Sequence, residues 1–208
     1  MTEGRFLSLE GGEGAGKSTQ ARALVSALAA RGVHAIVTRE PGGSEGAEAI
    51  RGLLMQGEAT RWSAHSEALL FAAARADHVE KVIRPAIGAG HWVICDRYVD
   101  STRAYQGAAG GVDDAAILAL HAFGARGLLP DRTYYLALPP SEGAARAAKR
   151  DGGGDRFAMR GEDFHAAVAR AFDGFAAAEP ARYRRIDATL PAEAVTRAIV
   201  NDLADWLA

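Results

Sequence analysis

The feature that most constrains the fold of this chain is the glycine-rich stretch LEGGEGAGKSTQ, residues 9–20. The phosphate-loop pattern G-x-x-x-x-G-K-[ST] is matched by Gly11, Gly16, Lys17 and Ser18. An apolar run precedes the stretch and a helical pattern follows it, which is the context that the motif requires. A glycine-rich turn can match by chance, but both flanks favour a phosphate-binding loop between a strand and a helix.

Such a loop binds phosphate because its glycines let successive backbone N–H groups face one anion, and the helix N-terminus adds positive charge. Lys17 is expected to reach the β- and γ-phosphates, and the Ser18 hydroxyl is expected to bind Mg²⁺. The motif therefore predicts a purine nucleoside triphosphate with magnesium. The predicted contacts are Gly11, Gly12, Glu13, Gly14, Ala15, Gly16, Lys17, Ser18 and Thr19.

Strand and helix patterns alternate along the rest of the chain. Strands are predicted for RFLSLE, VHAIVTRE, HWVICD, RTYYLAL and RYRRIDA. Helices are predicted for GKSTQARALVSALAARG, EGAEAIRGLLM and SEALLFAAARADHVEKVIRPAI, and for residues 113–126, 141–150, 161–178 and 191–207. This alternation predicts an α/β fold, with a five-stranded parallel sheet covered by helices on both faces. Ligands bind such sheets at the carboxyl ends of the strands, where the glycine-rich loop, TREPGG and CDRY fall.

The segment KRDGGGDRFAMRGED, residues 149–163, has a different composition from the rest. Three consecutive glycines among charged residues do not build a packed core. The segment is either an exposed connector or a mobile lid, and we favour the lid because lids use this composition near transferred charge. We predict one domain over residues 1–208, with a lid at about 148–162.

Composition argues against several classes of partner. The 208 residues carry a formal net charge of -2, which favours neither long nucleic acid nor an anionic membrane. The single Cys95 lies in the apolar run HWVICDRY, which indicates a small buried residue rather than a disulfide or a metal ligand. There is no signal-peptide pattern and no apolar run of about 20 residues, and we expect a protein of the reducing cytoplasm.

Further motifs follow the phosphate loop in order: TREPGGSEGAEAIRGLL, SEALLFAAAR, VICDRYVDSTRAYQG and DRTYYLALPP. Together they closely resemble bacterial thymidylate kinase (dTMP kinase), from about Phe6 to the C-terminus. The resemblance implies a P-loop nucleoside monophosphate kinase-like fold. It also implies transfer of the ATP γ-phosphoryl group to dTMP with Mg²⁺, giving dTDP and ADP in dTTP biosynthesis, and a homodimer.

Two arginines directly after predicted strands are candidates for binding the acceptor phosphate. Arg39 lies in TREPGG and Arg97 in CDRY. The resemblance implies that both hold the phosphate of dTMP, and the forked guanidinium group suits a bidentate grip. The alternative for each is a surface ion pair, but their placement at strand ends favours binding.

The resemblance also assigns residues to the nucleoside of dTMP. It implies that Phe71 stacks on thymine and that Arg75, four residues later on the same helix face, reads a base carbonyl. Tyr105 and Gln106 match positions at the sugar and the base. Apart from the resemblance, the stripe EALLF would make Phe71 a core residue.

Three polar residues near CDRY have two readings each. Ser101 and Thr102 either make polar contacts in the site or cap a helix, and the sequence leaves both readings open. The resemblance implies that Asp96 holds Mg²⁺ through water, together with Ser18. The alternative for Asp96 is a structural pair with a neighbouring arginine.

Catalysis needs a positive side chain in contact with the transferring phosphoryl group. Such an arginine can raise the rate about 10³–10⁵-fold. The phosphate loop of this chain has no arginine, so the resemblance implies a cation from the lid. Arg146, Lys149, Arg150 and Arg156 are available there, and the DR pair at Arg156 matches the lid pattern of the family best. Arg146 is the candidate for a place near the adenine. The predicted catalytic set is Lys17, Arg97, Arg150 and Arg156.

Glu13 is an anomaly, because it places a carboxylate inside a loop that attracts anions. At about 4 Å from a phosphate charge it would cost about 4 kcal/mol at an effective dielectric of 20. It is therefore not expected to point into the triphosphate cradle. The resemblance implies that it faces the acceptor site and accepts a hydrogen bond from the sugar 3′-hydroxyl. The alternative is a solvated loop residue.

Two positions depart from the family pattern, since Ala158 and Ala137 stand where many relatives have acids.

Two other functions compete with the resemblance. One is a kinase of the same architecture for a nucleoside or another monophosphate, although an acceptor without phosphate would leave Arg39 and Arg97 without a role. The other is a P-loop ATPase that serves as a switch or a scaffold.

Overall fold

Five parallel strands form one sheet in the order β2-β3-β1-β4-β5. The computed structural model describes residues 3–58, 60–151 and 156–207, with the backbone alone for 150 and 151. The strands are β1 (Phe6–Glu10), β2 (Ala35–Arg39), β3 (Trp92–Asp96), β4 (Arg132–Ala137) and β5 (Tyr183–Asp187). Each predicted strand is present, so the predicted α/β fold with a five-stranded parallel sheet is confirmed.

Helices connect the strands and cover both faces of the sheet. They are α1 (Lys17–Ala29), α2 (Glu45–Met55), α3 (Ala64–His78), α4 (Arg84–Gly88), α5 (Val99–Thr102), α6 (Asp114–Gly124), α7 (Pro140–Asp151), α8 (Glu162–Ala178), α9 (Ala192–Asp202) and α10 (Ala204–Leu207). Hydroxyl caps begin two of them, because Ser44 and Ser63 accept the backbone N–H groups of Ala47 and Ser66. Within the part of the chain that is described, none of these helices combines the length and apolar character that crossing a bilayer needs.

Two π-helical turns depart from the sequence-based helices. Val79–Ile83 joins α3 to α4, so the helix predicted as one piece contains a wide turn. Arg103–Ala108 extends α5 and was not predicted, because its sequence RAYQGA has no apolar periodicity. A π-helical turn often marks a functional site, and this second one carries two predicted site residues, Tyr105 and Gln106.

The apolar core lies on both faces of the sheet. Leu7 and Leu9 of β1 pack against α1 and α9, where Leu24 and Ile199 are fully buried. Alternate residues of β1 and β3 face the other side, and Cys95 is buried there as a free cysteine, as the sequence predicted. The central strands are buried on both faces, as parallel strands require.

The topology determines where a ligand can bind. β1 lies between β3 and β4, and the chain leaves it for β2 at the far side of β3. The crevice at such a switch point opens beyond the carboxyl ends of the strands. Residues 11–16 follow β1 there, residues 40–43 follow β2, and residues 97–98 follow β3.

A buried carboxylate, Asp100, ties the π-helical turn to the approach of β5. It is inaccessible to solvent and accepts hydrogen bonds from Arg103 (3.0 Å) and Arg182 (2.6 Å). Its pKa lies below the usual value although burial opposes this, because both guanidinium groups stabilise the charge. Removing it would leave two part-buried arginines with Glu179 as their remaining shared partner.

We expect Asp100→Ala to lower the free energy of unfolding by about 3–5 kcal/mol, measured by urea denaturation. The matched control is Asp173→Ala, which breaks the exposed pair with Arg185 and should cost about 0–1 kcal/mol. Equal effects of the two substitutions would show that the buried network does not stabilise the fold.

Candidate active site

A cavity of about 490 Å³ opens at the carboxyl ends of the strands. Most of the predicted site residues line it, although they come from separate segments of the chain. Those residues are Glu13, Gly14, Gly16, Lys17, Ser18, Thr19, Arg39, Phe71, Arg75, Asp96, Arg97, Ser101, Tyr105 and Gln106. The phosphate loop forms one side of the cavity, and α3 with the π-helical turn Arg103–Ala108 forms the other.

The phosphate loop owes its shape to glycines with positive φ. Gly11 has φ 138°, and a Cβ there would lie 2.7 Å from the carbonyl oxygen of Leu136. Gly16 has φ 90° directly before α1, a left-handed conformation that other residues rarely adopt. The turn directs the N-terminus of α1 at the cavity, so backbone N–H groups face the space where an anion would lie.

Lys17 is buried on the floor of this loop. Its Nζ donates hydrogen bonds to the carbonyl oxygens of Gly11 (3.1 Å) and Gly12 (2.7 Å). Burial lowers the pKa of Lys17 to about 8, and the nearby Arg97 adds to this effect. The ammonium group therefore loses its proton as the pH rises through about 8 unless an anion stabilises its charge.

Ser18 and Asp96 meet at the edge of the cavity. The hydroxyl of Ser18, at the start of α1, donates to Oδ2 of Asp96, at the end of β3, over 2.5 Å. Both offer oxygen ligands, which Mg²⁺ prefers, and Mg²⁺ commonly takes one or two protein ligands with phosphates and water. The pair fits such an ion. The described residues contain no group of three or more His, Cys, Asp or Glu that could bind a metal by itself.

Arg97 lies at the centre of the site in a left-handed backbone conformation, with φ 71°. Such a conformation costs about 1–3 kcal/mol for a residue other than glycine and persists where the surroundings impose it. Here the N–H of Arg97 donates to Leu9 (3.0 Å) and the N–H of Tyr98 donates to the carboxylate of Glu10 (2.7 Å). The turn directs the guanidinium group back over the phosphate loop, where it donates to Gly11.

Glu13 points away from the floor of the loop and towards the opposite side of the cavity. Its Oε1 accepts a hydrogen bond from Arg97 at 2.5 Å and a longer one from the hydroxyl of Tyr105 at 3.4 Å. Arg97 lowers the pKa of this carboxyl to about 2, against the effect of burial. The carboxylate is therefore a charged hydrogen-bond acceptor beside two residues that were predicted to contact the acceptor.

Glu10 is a site residue that sequence reasoning missed. It ends β1, is inaccessible to solvent, and accepts hydrogen bonds from the Tyr98 N–H and from the Ser101 hydroxyl (2.6 Å). Burial raises its pKa to about 8, and Asp100 adds to the shift. An acid at the end of an apolar strand was the available signal.

The contacts of Ser101 and Thr102 distinguish the two readings that the sequence left open. Ser101 accepts a hydrogen bond from Arg97 (3.2 Å) besides its own bond to Glu10. Thr102 accepts one from Arg75 (3.0 Å). Both residues lie in α5, and Thr102 also precedes the π-helical turn without making a side-chain capping bond to it, so both side chains make polar contacts instead of capping a helix.

Arg39 and Arg75 line the same cavity in different environments. The side chain of Arg39 is 55% exposed and pairs with Glu48 at 3.1 Å, so it is both an ion-pair partner and a cavity residue. Arg75 is buried and donates to Glu40 at 2.7 Å. His78 shares that carboxylate, which fixes the direction of the Arg75 side chain.

Aromatic rings form the far wall of the cavity. Phe71 projects from α3, and its ring centroid lies 5.9 Å from that of Phe157. Tyr105 lies 6.3 Å from Phe157, and the guanidinium of Arg97 lies 5.1 Å from the Tyr105 ring. An apolar slot of this kind suits a flat ring.

Further cavity residues were not singled out from the sequence. Arg51, Glu40 and Phe157 line the cavity. Arg51 also donates a hydrogen bond to the carbonyl of Pro41 at 2.8 Å. Arg51 lay inside a quoted motif, but one arginine among many carries little signal. Phe157 reaches the wall only through tertiary contacts, which no local pattern reveals.

The predicted lid cations lie in three different situations. Arg156 is buried, and its guanidinium contacts Glu67 and donates to the Leu54 carbonyl, so the structure does not bring it to the phosphate loop. Arg146 donates to the carbonyl of Ala188 at 2.9 Å, on the side of α7 near the end of β5. The side chain of Arg150 and residues 152–155 of the predicted lid lie outside the described residues.

Comparison with known proteins identifies similar sequences over nearly the whole chain. A family model described as thymidylate kinase matches residues 9–199. A thymidylate kinase of Rhizorhabdus wittichii is 58% identical over 205 residues, covering 98% of this chain and 99% of that protein. A thymidylate kinase of Caulobacter vibrioides is 52% identical over 199 residues, with 96% and 95% covered.

A similar solved structure is the crystal structure of thymidylate kinase from Ehrlichia chaffeensis. It matches with a TM-score of 0.77 and 30% sequence identity, and the match covers 96% of this chain and 98% of that one. The likeness therefore extends over nearly the whole of both chains.

The lowered pKa of Lys17 predicts a pH-dependent affinity for a nucleoside triphosphate. The ammonium group faces Arg97, Glu13, Asp96 and Glu10. As the pH rises through about 8 Lys17 loses its charge, so we expect the affinity for a non-hydrolysable ATP analogue to fall by up to about tenfold per pH unit. Calorimetric titrations between about pH 7 and pH 9 measure this.

Lys17→Arg is the matched control, because an arginine keeps its charge in this range. It should bind more weakly than the native protein, with little further change up to about pH 9. The same fall in both proteins would assign the titration to another group, of which Glu10 is the nearest candidate.

Proposed function

The chain belongs to the thymidylate kinase family and is a dTMP kinase, and we propose how its residues transfer the γ-phosphoryl group of ATP to dTMP. One observation carries the assignment of roles. A single cavity has a phosphate loop on one side and arginines with an aromatic slot on the other, and the Arg97–Glu13 ion pair lies between them. The products are dTDP and ADP, on the route to dTTP.

The chemical task of this site is the control of charge. The acceptor oxygen of dTMP is already an anion, so the transfer needs no strong general base, but two anionic groups must approach in line. Lys17 is placed to bind the β- and γ-phosphates from the floor of the loop. Arg97 is placed between the two sides of the cavity, where it can contact the acceptor phosphate and offset the repulsion.

Magnesium has a fitting pair of ligands in Ser18 and Asp96, which would hold it together with the phosphates of ATP. When bound, the ion neutralises charge that develops on the transferring group. Thymidylate kinases depend on ATP and generally use Mg²⁺, and we assign the ion to this pair.

The acceptor nucleotide is assigned to the opposite side of the cavity. Arg39 lies at the entrance for the phosphate, and Phe71 provides a face for the thymine ring. Glu13 is placed to accept a hydrogen bond from the 3′-hydroxyl, since Arg97 keeps it charged and directs it to this side. Tyr105 packs beside the sugar, and Arg75 and Gln106 face the edge of the base.

We assign the dimer face to α3 and α6, which pack against each other. Leu69 of α3 is 57% exposed, and Leu118 and Phe123 of α6 are 37% and 90% exposed. Apolar side chains exposed on adjacent helices favour burial against a second copy of the chain.

We propose the reducing cytoplasm as the compartment of this protein, because the buried Cys95 is a free thiol.

A coupled ADP-release assay with dTMP, dUMP, dCMP, dGMP and thymidine tests the function. We expect the highest kcat/KM for dTMP and about 10–200-fold less for dUMP, which lacks one methyl group. Thymidine should be inactive, because it has no phosphate for Arg39 and Arg97. Turnover on another monophosphate would identify a different kinase, and slow ATP hydrolysis insensitive to every acceptor would identify a switch or a scaffold.

The lid arginines can be tested one at a time. We propose Arg150 as the lid cation, so Arg150→Ala should lower kcat by about 10³ or more and leave the KM for dTMP nearly unchanged. Arg156 contacts Glu67 and lies beside Phe157 in the wall of the cavity. We therefore expect Arg156→Ala to raise the KM for dTMP and to lower the Tm.

Arg170→Ala, in an exposed residue of α8, is the control for the loss of one positive charge. A direct role of Arg156 at the phosphates stays a prediction, and it requires the side chain to leave Glu67. A loss of kcat in Arg156→Ala with an unchanged KM for dTMP would support that role. Near-normal turnover of both lid variants would exclude Arg150 and Arg156 as catalytic residues.

A further inference from the structure

Glu67 is a buried carboxylate behind the pyrimidine end of the cavity. It lies in the first turn of α3, four residues before Phe71 and eight before Arg75, so all three share one helix face. Only 1% of it is exposed, and no role in the proposed mechanism accounts for burying a charge there. A buried carboxylate is retained at low cost only where donors satisfy both oxygens.

The donors to Glu67 divide between its two oxygens. Oε1 accepts hydrogen bonds from Arg156 and Arg160, the latter at 3.0 Å, and both arginines belong to the predicted lid segment. Oε2 accepts Nε2 of Gln106 at 2.8 Å. The two arginines fix the carboxylate in position, and the carboxylate then presents one oxygen to the amide of Gln106.

This contact determines which way the amide of Gln106 faces. A carboxylate can only accept hydrogen bonds, so the amide nitrogen must be directed at Glu67. Gln106 also lines the cavity, and its carbonyl oxygen is then the group left for a ligand. Among the bases that fit the slot, thymine and uracil carry a donor at N3, whereas the N3 of cytosine is an acceptor.

We propose that Glu67 is a positioning residue for base selection: it holds the Gln106 amide so that its carbonyl oxygen accepts the N3–H of thymine and opposes the N3 of cytosine. The inference rests on the proposed function, because it needs a pyrimidine nucleotide in this cavity. Two acceptors that face each other lose a hydrogen bond and repel, which disfavours cytosine without any steric clash.

Glu67→Gln tests this, because it keeps the shape and reverses the directionality. Arg156 and Arg160 can only donate, so the amide oxygen at position 67 stays with them and its NH2 group faces Gln106. The carbonyl oxygen of Gln106 then turns to that NH2 group, and its own NH2 group is left for the base. We expect kcat/KM for dTMP to fall about tenfold and the dTMP-to-dCMP ratio to fall by about tenfold or more. The dTMP-to-dUMP ratio should stay constant, since uracil has the same N3–H.

Glu179→Gln is the matched control. Glu179 also pairs with two arginines, Arg103 and Arg182, but it lies away from the cavity. This variant should keep both substrate ratios of the native protein. Thermal melting of both variants separates a loss of stability from a change in selectivity.

Gln106→Leu keeps the test valid if Glu67→Gln folds poorly, because Glu67 retains its two arginines in that variant. It should show the same loss of the dTMP-to-dCMP ratio, and adding Glu67→Gln to it should change the ratio no further. Equal losses for dTMP and dCMP in Glu67→Gln, or an unchanged ratio in Gln106→Leu, would overturn the inference. A native protein inactive on dTMP would instead overturn the proposed function.

Discussion

The ion pair between Arg97 and Glu13 joins the two sides of the cavity. Glu13 belongs to the loop after β1 and Arg97 follows β3, so the pair exists only because these two strands are neighbours in a parallel sheet. It also depends on the left-handed backbone of Arg97, which hydrogen bonds to Leu9 and Glu10 of β1 impose. A carboxylate that would repel ATP is thereby directed to the acceptor side, where a sugar hydroxyl can use it.

Buried carboxylates set the direction of the groups that line this cavity. Glu40 accepts a hydrogen bond from the guanidinium of Arg75, and Glu67 accepts one from the side-chain amide of Gln106. Each carboxylate costs desolvation energy that only a full set of donors offsets, so the donors cannot rearrange freely. The cations and amides of the site are therefore held in fixed directions, as electrostatic catalysis and base selection require.

The sequence predicted the elements well and the walls of the site only partly. Apolar runs bounded by glycine, proline or charged residues located every strand, and the glycine pattern located the loop, because both signals are local. The π-helical turn Arg103–Ala108 was missed, since a wide turn has no periodicity of its own. Phe157 and Glu40 were missed because they face the cavity only after distant segments pack. Arg156 was predicted to lie at the phosphates because of its motif, whereas the structure buries its guanidinium against Glu67.

By itself, the sequence determined the phosphate loop, the parallel α/β sheet and the order of the motifs along the chain. These follow from glycine conformations, hydrophobic periodicity and the placement of motifs after strands, all of which operate over a few residues. Only the tertiary structure decided which hydrogen-bond donors contact each buried carboxylate. Glu13 meets Arg97 across 84 positions and Glu67 meets Arg156 across 89. Such pairs depend on burial and on packing between distant segments, which no local pattern contains.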